Sequence, residues 1–188
     1  MNRTEVVEDG REAFYLDGAS ERGEQYAGFD LLASQTMLSF LITYDLLHQV
    51  TARYMADYGL SKSSLNILLL LRHGPAEGRQ LRELGELLLV SRANITGLID
   101  HLEEKGLVKR SVDPEDRRAR HATITKKAEA LLDEFMPLHY GRVNQLLVDL
   151  SNDEKTALLS LLKKARVSAQ THSAGWLEEM VMTGNGKR

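Results

Sequence analysis

Arg92, Asn94 and Thr96 are interleaved with Ile95, Leu98, Ile99 and Leu102 in one short stretch of the chain. On a helix the four apolar residues fall at i, i+3, i+4 and i+7 and share one face. That face must be core. The opposite face, close to the helix N-terminus, carries Arg92, Ala93, Asn94, Thr96 and Gly97. Small and hydrogen-bonding residues of this kind let a helix sink into a DNA major groove. A guanidinium can grip guanine edges and a carboxamide can grip adenine. The helix start adds free N–H groups and the positive end of the helix dipole, which attract phosphate. The chemistry on offer is therefore recognition by hydrogen bonding, with no bond made or broken.

A second set of donors follows. Asp116, Arg117, Arg118 and Arg120 stand at the tip of an expected β-hairpin, with strands over 107–111 and 120–124 and a turn at 113–116. Guanidinium groups on a hairpin directly after a reading helix form a wing. They can enter a narrow minor groove, where the negative potential is high. Asp116 can pair with Arg118 two residues on and fix its pose. In this reading Arg92, Asn94 and Thr96 meet base edges and Ser91 meets the DNA backbone. Arg117 and Arg118 hold minor groove and phosphates, with weaker electrostatic support from Lys105, Lys109 and Lys126.

The elements that position these groups are written locally. Apolar residues at three- and four-residue steps predict a long helix from about 29 to 58, stopped by Gly59 as a C′ glycine. It has apolar residues on more than one face, so it touches more than its own core. Ser61 can cap a second helix that Gly74-Pro75 ends. A short helix over 81–88 follows, then one capped by Ser91 and running to Lys105. Gly106 as C′, Leu107 as C″ and Leu102 as C3 predict a Schellman ending there. After the hairpin, Thr125 can cap a helix from 126 to about 150 with Pro137 inside it. Ser151 and Glu154 have the capping-box spacing that opens a last helix. Gly175 is expected to interrupt that helix, leaving Trp176, Leu177, Met180 and Val181 as one more apolar face. Residues 1–30 read as an acidic, partly ordered tail, within which 11–16 could order as a short piece.

Composition narrows the classes. The chain has 188 residues, 43% of them hydrophobic, with only 3 Pro and 6% aromatics, which suits a mainly α protein. It has no cysteine, which excludes disulfides, zinc-thiolate sites and thiol sensing. No apolar run approaches the length of a membrane span, and the tail has no apolar signal-peptide core. A cytoplasmic location is expected. The net charge of −3 conceals segregation. Residues 1–30 hold three Arg against eight Asp and Glu, whereas 105–127 hold eight Lys and Arg against three Asp and Glu. A phosphate backbone would meet the local patch, not the average.

No glycine-rich phosphate loop, His-Glu-x-x-His or nucleophile elbow is present, so no enzyme is expected. His48, His73, His101, His121, His139 and His172 lie far apart without ligand spacing, so no metal or cofactor is expected either. The remaining rival is a winged helix that binds protein instead of DNA. A basic wing and an Arg-Asn-Thr helix start argue against it, and the salt dependence of binding separates the two.

The run from Ser91 to Arg110, SRANITGLIDHLEEKGLVKR, together with Asp113-Pro114-Glu115-Asp116-Arg117-Arg118 and the following Ala122-Thr123-Ile124-Thr125, resembles the MarR family. The resemblance covers about residues 31 to 165. It implies a mainly α, winged helix-turn-helix fold with long dimerisation helices from both ends of the chain. Residues 61–125 would form the DNA-binding domain, and 31–60 with 126–188 the helical dimerisation region of a homodimer. The Asp116-x-Arg118 pair matches the family's wing motif, with Arg118 on DNA. The resemblance also implies a pocket for a small-molecule effector between the dimer helices and the DNA-binding lobe. Tyr44, His48, Arg53 and Tyr54 are its candidate lining, suited to a phenolic carboxylate. Three positions depart from the family's usual pattern. Gly85 stands where Ala is common, Leu89 where Gly or Asn is common in the inter-helix turn, and Ala128 where Gly is frequent.

Overall fold

The computed structural model describes residues 23–112 and 120–184 and, singly, Gly10, Phe14 and Gly18; for 174–184 it describes the helix backbone alone. The chain divides into two compact units, Met1–Asp133 and Glu134–Arg188. The expected piece at 11–16, apart from Phe14, and the turn at 113–116 lie outside the described residues.

Helix α1, Leu31–Ala56, begins where the Asp30 carboxylate accepts a bond from the Ala33 amide at 2.8 Å. It ends as the sequence predicts. Gly59, at φ +63°, lets the Leu60 amide reach back to the Met55 carbonyl and its own amide reach Ala56. Both are orphan carbonyls of the last turn. Helix α2, Lys62–Arg72, is opened by a reciprocal box between Ser61 and Ser64. Strand β1, Arg79–Gln80, is followed by α3, Leu81–Leu88, and by α4, Arg92–Glu104, which Ser91 caps. The end of α4 is the expected Schellman pair, Leu107 to Leu102 and Gly106 to Glu103, at 2.9 and 2.8 Å. Strands β2, Val108–Val112, and β3, Arg120–Ile124, form the hairpin. The three strands are ordered β1-β3-β2, with both pairs antiparallel. Helices α5, Lys126–Leu146, and α6, Asn152–Gly184, complete the chain. Among the described residues no helix is long and apolar enough to cross a membrane.

The core of the first unit gathers one face of each short helix. Leu65, Ile67, Leu68 and Leu71 of α2, Leu84 of α3, and Ile95, Ile99 and Leu102 of α4 are buried with Val108 and Ala122 of the sheet. Gly85 sits at the α3–α4 crossing, where a Cβ would lie 3.3 Å from the Val90 carbonyl oxygen and 3.6 Å from an Ile95 methyl. That crossing leaves room for little more than Ala, in keeping with the small residue expected there.

Three expectations change. β1 was not foreseen, because two residues carry no periodicity. α5 stops at Leu146, earlier than 150. The segment unwinds through i→i−3 bonds from Leu147, Val148 and Leu150, which keep Leu147 and Leu150 half-buried and so prolong the apolar pattern past the helix. α6 runs unbroken across Gly175. An interior glycine costs a helix about 1 kcal/mol relative to alanine, which weakens it without stopping it. Pro137 is accommodated inside α5, where its ring nitrogen cannot donate to Asp133.

The turn between α3 and α4 has the left-handed geometry that Gly or Asn favours, but with leucine in place. Leu89 adopts φ 54°, ψ 41°, and bonds from Leu89 to Glu86 and from Val90 to Gly85 close the helix. Its side chain is 92% exposed, so no packing offsets the strain. The left-handed conformation costs an L-residue about 1–2 kcal/mol, and glycine returns part of that gain as unfolded-chain entropy. Leu89→Gly is therefore expected to stabilise the fold by about 0.5–1 kcal/mol. A urea midpoint that fails to rise would contradict this account of the turn.

Candidate nucleic-acid interface

The polar face of α4 is built by its cap and its core. The Ser91 hydroxyl oxygen accepts from the Asn94 amide at 3.3 Å, starting the helix at Arg92. Burial of Ile95, Ile99 and Leu102 then fixes its rotation. Ser91, Arg92, Asn94, Thr96 and Gly97 are all exposed on the side this leaves outward. The Thr96 hydroxyl donates to the Arg92 carbonyl at 2.9 Å, so its lone pairs are what it can offer to a partner. Nothing lies within 4 Å of a Cβ built on Gly97.

Arg120 opens β3 opposite Val112 and is exposed. A concavity of about 1070 Å³ runs between α3, α4 and the sheet, and Arg92, Thr96 and Arg120 line it together. Ser91, Asn94 and Gly97 border α4 outside that lining. Asp116, Arg117 and Arg118, together with the proposed pairing of Asp116 and Arg118, lie outside the described residues.

Sequence reasoning missed three members of this face. Gln80, Arg82 and Arg110 also line the concavity. Arg82 pairs with Glu86 one turn on, at 2.8 Å, and this carboxylate raises the guanidinium pKa further. Its signal was available, since Arg82 is the second residue of a short helix preceding the reader. Lys105 was expected to lend charge here. Its ammonium donates to the Gly59 carbonyl just past α1, at 2.8 Å, and Lys127 donates to the Lys105 carbonyl at 2.7 Å. Lys127 thereby serves a carbonyl at the C-cap of α4, and Lys105 one in the loop that follows α1.

A second cavity, of about 380 Å³, lies between α1, α2 and the α3–α4 turn. Tyr44 and His48 line it and stack with ring centroids 5.8 Å apart. Lys62, Ser61, Ser63 and Asn66 supply its polar wall, and the Lys62 ammonium sits 5.2 Å from the centre of the Tyr44 ring. Arg53 and Tyr54 do not line it. At 100° per residue Arg53 falls about 180° around α1 from Tyr44, whereas His48 falls only about 40° away. Arg53 is exposed on that other side, and Tyr54 is buried. The cation at this cavity is Lys62, which comes from the next helix.

The MarR family model matches residues 58–119, from just past α1 through α4 and β2. The HTH-type transcriptional repressor YetL of Bacillus subtilis is 30% identical over 143 residues, 76% of this chain and 86% of that protein. The chain belongs to the MarR family. Two solved structures share the fold. The MepR–DNA complex of S. aureus aligns with TM-score 0.64 at 20% identity, covering 71% of this chain and 96% of that one. CouR from Rhodococcus jostii RHA1, solved with p-coumaroyl-CoA, aligns with TM-score 0.61 at 22% identity, covering 71% and 93%. The mainly α winged helix-turn-helix read from the MarR-like motifs is the fold observed.

Proposed function

We propose that this MarR-family chain is a sequence-specific, double-stranded DNA-binding transcriptional repressor that acts as a homodimer on a pseudo-palindromic operator. The observation that carries the reading is the shared concavity, lined by Arg92 and Thr96 from the reading helix and by Arg120 from the wing. Residues 61–125 are the DNA-binding domain, and 31–60 with 126–188 the dimerisation region. Ser91 meets the phosphate backbone, Arg92, Asn94 and Thr96 meet base edges, and Gly97 admits the helix to the groove. Arg120, with Arg117 and with Arg118 oriented by Asp116, holds the minor groove. Two readers related by the dimer axis would sit about 34–36 Å apart, one turn of DNA. YetL's description as a repressor and the DNA in the MepR complex support this assignment.

Met37, Phe40, Leu41 and Tyr44 support the dimer. They lie at i, i+3, i+4 and i+7 on α1, and each is 45–60% exposed in the single chain. A stripe of that kind calls for a partner surface. A small aromatic acid in the second cavity is the proposed effector, its ring against Tyr44 and His48 and its carboxylate toward Lys62. It would release DNA by favouring one spacing of the two heads. CouR's ligand, p-coumaroyl-CoA, shares the aromatic ring with that class but, as a thioester, not the free carboxylate.

The test is fluorescence anisotropy with DNA from upstream of the chain's own gene against a scrambled duplex, across a salt series. Tight, salt-sensitive and sequence-dependent binding at two chains per site is expected. Arg118→Ala should weaken binding to all sequences, and Asn94→Ala should relax one base position by about 1–3 kcal/mol. Equal and negligible losses in both variants would sink the assignment. Aromatic acids titrated into the DNA complex test the effector, and no release by any of them defeats that part.

Gly97→Ala separates stability from recognition. Its methyl meets nothing in the protein, and alanine favours a helix interior by about 0.8–1 kcal/mol. The variant is expected to unfold at higher urea yet bind operator more weakly, because the methyl enters the space the groove edge needs. Improved stability with unchanged operator affinity would take Gly97 off the interface.

A further inference from the structure

Arg110 stands in the middle of β2, yet its side chain crosses to α4 and is only 24% exposed. Its Nη2 donates to the Thr96 carbonyl at 3.0 Å. Its Nη1 pairs with the Asp100 carboxylate. Its backbone amide donates to Glu103 Oε1 at 3.1 Å, and Glu103 Oε2 stands 3.7 Å from Nε. Thr96, Asp100 and Glu103 are spaced i, i+4, i+7, so one arginine addresses a line of acceptors along about 10 Å of the helix. Nε is buried and makes no hydrogen bond of its own, which carries a desolvation cost.

We propose that Arg110 is a positioning residue for DNA recognition: it fixes the pose of the reading helix against the wing, so that α4 and the hairpin meet one duplex in a single register. The inference rests on the DNA-binding reading above. The geometry favours positioning over direct contact with phosphate. Two of the groups Arg110 faces are carboxylates, and its fork is occupied from within the protein. The ties also end on the residues that matter. Thr96 is itself on the proposed reading face, and β2 is hydrogen-bonded to β3, which carries Arg120. A planar fork serves the Thr96 carbonyl and the Asp100 carboxylate at once in fixed directions, whereas the donors of an ammonium rotate on a flexible stem and hold neither direction. Without the tie α4 keeps its cap and its core face but gains freedom to roll about them. A reader that rolls still meets phosphates and loses the alignment that base edges require.

The experiment compares wild type, Arg110→Lys and Asp100→Asn on two duplexes, one selected by the wild-type protein from a random-sequence pool and one scrambled. Each is measured across a salt series, with thermal unfolding alongside. Arg110→Lys is expected to bind the selected duplex about 10- to 100-fold more weakly, the scale of one lost base contact or more. Binding to the scrambled duplex, and the slope of log affinity against log salt, should stay as in wild type. Asp100→Asn keeps the shape and the oxygen but loses the charge, and should shift discrimination in the same direction by a smaller factor even if Arg110→Lys does not fold. In the double variant the two effects should be less than additive in the logarithm. Parallel losses on both duplexes with a shallower salt slope would make Arg110 a phosphate contact and overturn the proposal. Unchanged discrimination in a folded Arg110→Lys, or in Asp100→Asn, would overturn it too. A wild-type protein that selects no sequence at all overturns the DNA-binding reading itself, which is a separate and recognisable result.

Discussion

On the proposed homodimer, Phe40→Asp combined with Leu41→Asp is expected to give a monomer and to lower affinity for the proposed operator by about 10²- to 10⁴-fold, the range in which tethering two binding modules raises avidity. The two side chains are 51% and 48% exposed in the single chain, so replacing them removes little intrachain core. Buried in a dimer, each would contribute an apolar anchor worth about 1.5–3 kcal/mol, and a carboxylate there adds a desolvation cost. The monomer keeps an intact reader, because Ser91, Ile95, Ile99 and Gly106 are untouched. It should therefore retain weak half-site binding with about half the salt slope of the dimer, since half the phosphate contacts remain. Sedimentation velocity and anisotropy on the same samples decide the matter. A variant that remains dimeric would remove this stripe of α1 from the interface. A monomer that binds the operator as tightly as wild type would refute the two-reader mechanism.

How much of this was legible in the sequence follows from distance along the chain. Caps are local. Ser91 to Asn94, Gly59 to Ala56 and Gly106 to Glu103 each span three residues, and all three were read correctly from residue types alone. The face of α4 follows from helical periodicity, and the β3 boundaries from alternation and the preceding turn. What could not be read depends on contacts between segments. Lys105 reaches Gly59 across 46 residues, and Arg110 reaches Thr96 across 14. No local pattern marks a lysine that reaches the loop after another helix or an arginine turned inward from a strand, so Lys105 was read only as electrostatic support and Arg110 was given no role. The second cavity shows the same limit in another form. Four polar and aromatic residues of α1 were grouped by chain proximity, but rotation along the helix separates Arg53 from Tyr44 and His48. The missing cation, Lys62, was hidden because it belongs to the next helix. Gly175 failed for the opposite reason: a local propensity was given more weight than a long helix needs to overcome.

Gly78→Ala tests a backbone position at the base of the wing. Gly78 is buried at φ +92°, and its amide closes a turn on the Pro75 carbonyl at 3.0 Å. A Cβ there would lie 2.3 Å from the Ala122 carbonyl oxygen and 2.7 Å from the Thr123 methyl. Neither neighbour can yield cheaply. Ala122 is the residue through which β3 pairs with Arg79 of β1 on one side and with Arg110 of β2 on the other. The backbone penalty for a side chain at such φ is about 1–3 kcal/mol, and the contact with a backbone oxygen adds to it, so a loss on the order of 3 kcal/mol in unfolding free energy is expected. The chain can escape only by lifting β1 off β3. That would also draw Arg79 away from the Leu70 carbonyl, which it holds at 3.1 Å, and so loosen α2 from the sheet. The functional consequence separates this change from a core truncation. Ile99→Ala, at about 2–5 kcal/mol, should lower stability with α4 still facing the same way in the molecules that remain folded. Gly78→Ala should also blunt sequence discrimination at temperatures where the protein is folded, because the strand that moves lies beside the one carrying Arg120. If its discrimination is intact while its stability falls, β1 is a staple for the fold alone, and the alignment of the wing rests on Arg110.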